Sequence, residues 1–585
     1  MLFSIYELFS IIDILRFDRT RYKNKVTEMK RFISLVLAVC TFSVMLFGCD
    51  AKDKNNVDDK DTVEEQYEKA ATTPFEKYPE VVTYTLGKEI STNRSNMPSG
   101  DTYEDNAYTR YLLEKLNIQN VNEFENMGDA YNTEVSMSIA MSDIPDIMVV
   151  NSFSDVALMY KMGLLADLTD SYENCASDAI KAMYESYGPE LLGSVTFDGK
   201  IVAIPETNIA EGPSLLWLRK DWLDELNLEE PKTLEDVEYI ISKFIEADSN
   251  RVGLVTTASL CGESGYSSQY LTDVIFSSFG AYPKHWIQRD DGSIVYGSVQ
   301  PEAKEALRYL NAWYNKGILD KDFLFRSTSD IIGLIKGGRC GSFFGPWWST
   351  NNPLMGMTEN GVQVEWKPYL ISTNEDGTTV YPSTNPTSYK YVVVSKDCEH
   401  PEIAWKIISA LFDYARYQDD NENVKELNEY DKNAVDPTAR PLVINVDYKD
   451  ALKRSYENIS GVVEGTKDIS EVNQLEVSYI EQCNDYLSSN GNYTSQQWAA
   501  YESRITACSL VASDNAVEIK SLFFNSTKTM DSKWWKLKEL ESNIYLRIVT
   551  GQTSIDYFDY FVEEWKDQGG TTISREVEEQ INRNK

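Results

Sequence analysis

Trp347 and Trp348 stand side by side directly after Gly345-Pro346, at the end of the apolar run CGSFFG. Two indoles at a strand end offer flat apolar faces of the kind on which a sugar ring can stack its C–H face; the plain alternative is that both are packed in a core. Asn151, Ser152 and Phe153 follow the run IMVV, where a strand hands over to a helix, the usual ligand edge of a parallel sheet. Glu206 and Tyr389 offer a carboxylate and a phenol for hydroxyl groups, and Arg94 lies in the loop STNRSN after the first strand. Trp217 is undecided, because alternation with Leu216 and Leu218 turns one face of its strand into a core. Other chemistry is poorly supplied. With only two histidines, His285 and His400, the chain has little material for a His-rich zinc site or for a nucleophile with a histidine base. Abundant Asp and Glu leave a glycoside-cleaving carboxylate pair open, but no local motif picks out an acid and its partner.

The elements that would hold these residues follow a strand–helix rhythm. VVTYTLG (81–87) reads as a strand. Tyr108, Leu112, Leu113 and Leu116 recur at helical spacing, and IMVV is a second strand ending at Asn151. That alternation predicts a parallel α/β sheet. Asp198-Gly199 predicts a hairpin turn before IVAIP. The chain is then expected to cross to a second half near 205–213, after which SLLWLRKDWL runs from strand into helix, with Arg219 and Asp221 forming a structural pair at the helix start. Thr233, with Asp236 three residues on, caps a helix whose buried stripe is Leu234, Val237, Ile241 and Phe244. Pro301 opens another, with Ala303, Ala306, Leu307, Leu310, Trp313 and Tyr314 along one side. YKYVVVSK (389–396) is a strand and PEIAWKIISALF (401–412) a helix. Beyond about residue 415 the chain is mostly helical and polar, and it closes on IDYFDYFVEEWKDQGG, a helix with a Gly-Gly stop. At 585 residues, two lobes are a better prior than one.

Met29-Lys30-Arg31, the apolar run Phe32–Gly48 and Cys49 have the order of a secretory signal. Residues 1–28 are expected to be an upstream extension from a mis-assigned start, 29–48 the signal peptide and 49–79 a flexible acidic tether. An uncleaved membrane anchor is the alternative reading of the apolar run, which is slightly short for a span. The formal net charge of −36 repels nucleic acid phosphates and anionic headgroups, which argues against a nucleic-acid partner. Apart from Cys40 and Cys49, the cysteines are far apart and form no CxxC pair, so any disulfide pairing in an exported chain stays undetermined.

Several longer segments carry a resemblance. Leu46-Phe47-Gly48-Cys49 resembles a bacterial lipobox, which implies lipidation of Cys49 as the mature N-terminus. SDIPDIMV (142–149), GLLADLT (163–169), VTFDGKIVAIP (195–205), LWLRKDWLDELNLEEPKTLEDV (216–237), GRCGSFFGPWW (338–348), PEIAWKII and GQTSIDYFDYFVEEWKDQGG succeed one another in a shared order. In that order the chain resembles the extracellular solute-binding proteins of carbohydrate ABC importers, in their long lipoprotein branch. The resemblance implies an α/β, two-lobed periplasmic-binding-protein-like (type II) fold with an interlobe cleft and helical C-terminal additions. Lobe 1 would take about 80–210 with parts of 345–585. Lobe 2 would take about 211–340 with parts of the C-terminal half, and 338–348 would cross between them. The implied ligand is a small molecule, a carbohydrate, contacted by Trp347, Trp348, Trp217, Asn151, Ser152, Phe153, Glu206, Tyr389 and Arg94.

The implied partners are ABC permease subunits and, through the lipid anchor, the outer face of a bacterial cell membrane. The protein would act as a monomer and without a cofactor. Many long-branch relatives carry an Asp- and Gly-rich, calcium-loop-like insert after the capped helix; here only Ala247-Asp248-Ser249-Asn250-Arg251-Val252-Gly253 remains, with too few oxygen ligands, so no metal is expected. Three other readings stay open: a secreted glycoside-active enzyme, a binder of peptides or another non-sugar solute, and a lipoprotein that senses ligand for a membrane kinase.

Overall fold

Short apolar runs rich in Val, Ile and aromatic residues form the strands. The computed structural model describes residues 62–91, 96–262, 269–359, 362–417, 422–433 and 435–583, so Arg94 and Cys49 lie outside the described residues. The strands that build the architecture are β1 (Val82–Glu89), β2 (Ile118–Asn126), β3 (Ile147–Val150), β4 (Ile204–Pro205), β5 (Leu215–Arg219), β6 (Ser342–Gly345), β7 (Trp366–Tyr369), β8 (Thr379–Pro382), β9 (Tyr391–Val394) and β10 (Ala516–Ile519).

The first lobe is a mixed sheet in the order β2-β1-β3-β9-β4. β1 runs parallel to β2 and β3, and β9 runs antiparallel to β3, with Tyr391 opposite Val150, and to β4. Every residue of β3 and β9 is buried, as expected of central strands covered on both faces. Alternation divides them. Ile147, Val149, Val392 and Val394 face a cluster with Tyr111, Leu112 and Trp405, while Met148, Val150, Tyr391 and Val393 face Tyr131, Val135 and Met159. The second lobe is built on an antiparallel sheet, β6-β5-β7. Leu216 and Leu218 of β5 enter a core with Trp222, Phe244, Leu310 and Trp313; Leu215 and Trp217 enter another with Phe343, Trp366 and Trp498. The Thr233 capping box and the helix opened by Pro301 supply the first of these cores with the expected stripes, except that Tyr314 is only partly buried.

The chain passes between the two cores through 206–214, 383–390 and 445–450, and backbone hydrogen bonds lay these segments side by side. Glu206 N donates to Lys390 O (2.9 Å), Thr207 N to Asn445 O (3.0 Å), Asn208 N to Pro386 O (2.9 Å) and Ala210 N to Lys449 O (2.8 Å). Three sequence expectations change. The segment 338–348 does not cross, because β6 is hydrogen-bonded to β5 inside the second sheet, so the second lobe's strands run on to β8. The tether does not remain free to residue 79: Val63–Ala71 is a helix and Tyr78 is buried. The buried Lys406 holds this stretch: its ammonium donates to Ala70 O in the last turn of the helix and to Thr73 O and Glu76 O beyond it, at 2.6–3.0 Å. The Gly-Gly pair is a kink and not a stop. Gly569 takes φ +139, where an L side chain is strained, and the chain continues as the helix Thr571–Arg583. Cys175, Cys261, Cys340, Cys398, Cys483 and Cys508 are free thiols, all buried except the half-buried Cys398, so they act as small core residues and not as cross-links.

Candidate functional site

A cavity of about 900 Å3 opens where the crossings meet the second sheet. Trp347 and Trp348 reach it because β6 ends at Gly345 and the chain turns at once into the 3-10 segment Trp347–Thr350. Pro346 O fixes that turn by accepting from Ser349 Oγ (2.8 Å) and from Trp217 Nε1 (3.1 Å). A side chain at 345 would meet Ser349 Oγ at 2.6 Å and the Phe343 ring at 2.8 Å, so the turn needs glycine there. Trp347 is 7% exposed and Trp348 half-buried.

Groups from both lobes, two of the crossings and the helical C-terminal part share the lining with the indoles. Ile209 and Glu211 come from the first crossing, and Asn445 and Asp447 from the third. Ala179, Asp413 and Tyr417 come from first-lobe helices, and Tyr479 and Arg504 from the helical C-terminal part. Arg416 pins the third crossing. It donates to Asn445 Oδ1, Val446 O and Asp447 Oδ2, each at 3.2 Å. Arg504 lies over the Trp347 ring at 4.6 Å and over the Tyr479 ring at 4.0 Å. Glu211 is buried, with one carboxylate oxygen lacking a hydrogen bond; burial pushes its carboxyl up to about 7, partly offset by the neighbouring Trp348 indole.

The sequence candidates separate cleanly. Trp347 and Trp348 line the cavity. Glu206 touches its wall from behind, because its Oε1 accepts from Asn445 N (2.8 Å) and its other oxygen accepts from Ser388 Oγ; burial pushes it up to about 6. Trp217 has no exposed surface to offer a ligand. It stands in the second-lobe core and supports the turn through Pro346. Asn151, Ser152 and Phe153 sit at the carboxyl end of β3, outside this cavity's lining. Asn151 Nδ2 donates to Asn132 Oδ1 (3.0 Å), Ser152 caps the helix Phe153–Lys161, and Phe153 packs near Phe197 and Tyr391. Tyr389 takes φ +68 and donates to Phe524 O at 3.4 Å, tying the second crossing to the second lobe. Arg219 and Asp221 pair as expected, at 2.8 and 2.6 Å.

Glu211, Asn445, Asp447, Tyr479 and Arg504 were not among the candidates. Glu211 was within reach, inside the expected first crossing. The others belong to a stretch with no local signature. Near the shortened loop, Asp248 Oδ1 accepts from Asn250 N and Nδ2 (2.9 and 3.0 Å) and Arg251 stacks 3.6 Å from the Trp222 ring; among the described residues no cluster of three His, Cys, Asp or Glu could hold a metal ion.

Glu211 also gives a stability test. A carboxyl held up to about 7 in the fold, against an ordinary 4.5, contributes stability that is fully present below pH 4.5 and lost as pH rises through 7. Glu211→Gln should therefore flatten the decline of the unfolding free energy from denaturant titrations between pH 5 and pH 8, by on the order of 2 kcal/mol. An unchanged slope would show that Glu211 titrates as an ordinary exposed carboxylate.

Two α/β lobes joined by three chain crossings, with a cavity where the crossings meet, are the layout of a two-lobed solute-binding protein. The chain belongs to the bacterial extracellular solute-binding proteins: that family's profile matches residues 95–415. The polygalacturonan/rhamnogalacturonan-binding protein YtcQ of Bacillus subtilis is 21% identical over 463 residues, covering 76% of this chain and 82% of YtcQ. The fructooligosaccharide ABC transporter substrate-binding protein FusA of Streptococcus pneumoniae is 25% identical over 230 residues, a match that spans only 42% of FusA and 37% of this chain. The solved structure of a FusA EF-hand mutant with fructo-nystose superposes with a TM-score of 0.56 at 15% identity, covering 86% of this chain and 99% of that one. An extracellular solute-binding protein from Bifidobacterium longum subsp. infantis gives 0.57 at 12% identity, over 86% and 98%. At these identities the structural matches speak for the fold.

Proposed function

We propose that this protein is the lipid-anchored substrate-binding component of an ABC importer, which captures an oligosaccharide between its lobes and hands it unaltered to a membrane permease. The observation that carries the reading is the pair of adjacent indoles on the wall of a cavity of about 900 Å3, near the upper end of the range for ligand pockets and suited to more than one sugar ring. A stacked ring would bury its apolar face on the half-buried Trp348 and meet only the small exposed part of Trp347, while Glu211, Asn445 and Asp447 offer partners for hydroxyls. A ligand that touches both lobes favours the closed arrangement by its differential affinity for it, and by no more. The relatives support the importer role, since FusA is named for ABC transport of fructooligosaccharides.

A thermal-shift screen over mono- and oligosaccharides tests this. A true ligand at a hundred times its Kd stabilises the fold by about 2.7 kcal/mol. The expected result is a Tm rise with chosen oligosaccharides and their recovery intact by chromatography. Shortened products would favour the glycoside-active alternative, and a response to peptides alone would favour a peptide binder. The anchor is tested separately: Cys49→Ala should move the protein from the membrane fraction to the medium, and retention at the membrane would favour the uncleaved span.

A further inference from the structure

We propose that the cavity takes an acidic oligosaccharide and that Arg504 receives a carboxylate of one of its uronic acid units. This rests on the carbohydrate reading of the cavity and adds the ligand's charge. Arg504 stands in the π-helical stretch Glu502–Ala507, between the helices Ser495–Tyr501 and Cys508–Val511, and π-turns of this kind recur at functional sites. The rings of Trp347 and Tyr479 flank its guanidinium, and all three groups line the cavity. Aromatic rings satisfy the charge through their faces but leave the in-plane N–H donors without acceptors. Among the described residues Arg504 makes no hydrogen bond and no ion pair.

Five carboxylates line the wall, Glu211, Asp413, Asp447, Glu457 and Glu476, and none of them pairs with Arg504. Asp447 is engaged by Arg416 at 3.2 Å, and Glu476 accepts from Asn458 Nδ2 (3.1 Å) and Asn473 N (3.2 Å). Arg454, the other arginine on the wall, is already taken by Asp450 at 2.7 Å. A second donor stands in the same contact: Trp347 is only 7% exposed, and its indole N–H is buried without an acceptor. A sugar hydroxyl could accept one N–H, whereas the planar carboxylate of a uronic acid matches the guanidinium fork with two charge-assisted bonds.

The experiment is calorimetric titration with uronate trisaccharides (galacturonate, mannuronate and glucuronate), their methyl esters, and neutral trisaccharides. An acid and its ester share a backbone and differ in charge. The expected result is at least about tenfold tighter binding of one acid than of its ester, the size of a charge-assisted hydrogen bond. Arg504→Met should bring that ratio to about one, while Arg504→Lys, which keeps charge without the fork, should retain part of it. The ratio is insensitive to a general loss of folding, and the apo Tm of each variant controls for that loss. Equal affinity for acid and ester, or an acid preference that survives Arg504→Met, overturns the proposal. Binding of neutral oligosaccharides without any acid preference overturns it too while leaving the carbohydrate reading in place; no saccharide binding at all overturns both.

Discussion

Trp347→Ala combined with Trp348→Ala is expected to abolish the ligand-induced rise in Tm. The two indoles are the largest side chains on the cavity wall, and Trp347 also backs Arg504 at 4.6 Å. The same substitution has a cost without ligand. Trp347 is 7% exposed and belongs to the core with Phe343 and Trp366, so truncating it should destabilise the apo protein by about 3–5 kcal/mol. The measured quantity is therefore the increment that ligand adds to each protein's own Tm, not the Tm itself. Trp217→Phe is the matched control. It keeps a ring in the core and removes only the N–H that donates to Pro346 O, so it should lower Tm modestly and leave the increment in place. If the double variant keeps a wild-type increment, the ligand binds elsewhere in the interlobe space, and the β3 edge at Asn151 becomes the next candidate.

How much of this was legible in the sequence depended on range. The central strands of the first sheet were readable because burial on both faces leaves an uninterrupted apolar run, as in IMVV and YVVV. Capped helices were readable because Thr233 and Asp236 interact across three residues. The indole pair was visible as a motif for the same reason. The errors share the opposite cause. Whether SFFG stays in a sheet or leaves it depends on pairing with Leu215–Leu218, far away in the chain. Whether 63–78 hangs free depends on a lysine at 406. Trp217 looked like a possible cleft residue because alternation shows that it has a face but not which core that face meets; here it meets Phe343 and Trp366. Arg504 and Tyr479 carry no local signature at all. They become neighbours of Trp347 only once the helical C-terminal part folds back on the second sheet.

Besides the apolar packing of Trp498, Ala507 and Cys508, one ion pair ties that return of the chain to the second sheet, and it gives the other large expected effect. Lys367 on β7 bonds Glu502, whose carboxylate is fully buried two residues before Arg504. Burial holds the Glu502 carboxyl above its ordinary value even though Lys367 pulls it down. Lys367→Met would leave that carboxyl without its counter-charge, and breaking a buried pair from one side costs about 3–5 kcal/mol. The lower end is expected here, because Lys367 is 32% exposed. The pH dependence has a definite sign. A carboxyl raised in the fold contributes stability below its ordinary value of 4.5 and loses it as pH rises through the raised one, and removing Lys367 raises it further. The loss in denaturant midpoint should therefore be larger at pH 8 than at pH 5, and adding Glu502→Gln should restore most of it. Since Glu502 and Arg504 share one π-turn, the single variant should also bind ligand more weakly at temperatures where it is still folded. A pH-independent loss, or none, would mean that Glu502 is already neutral in the wild type and that the turn holding Arg504 is kept in place by packing alone.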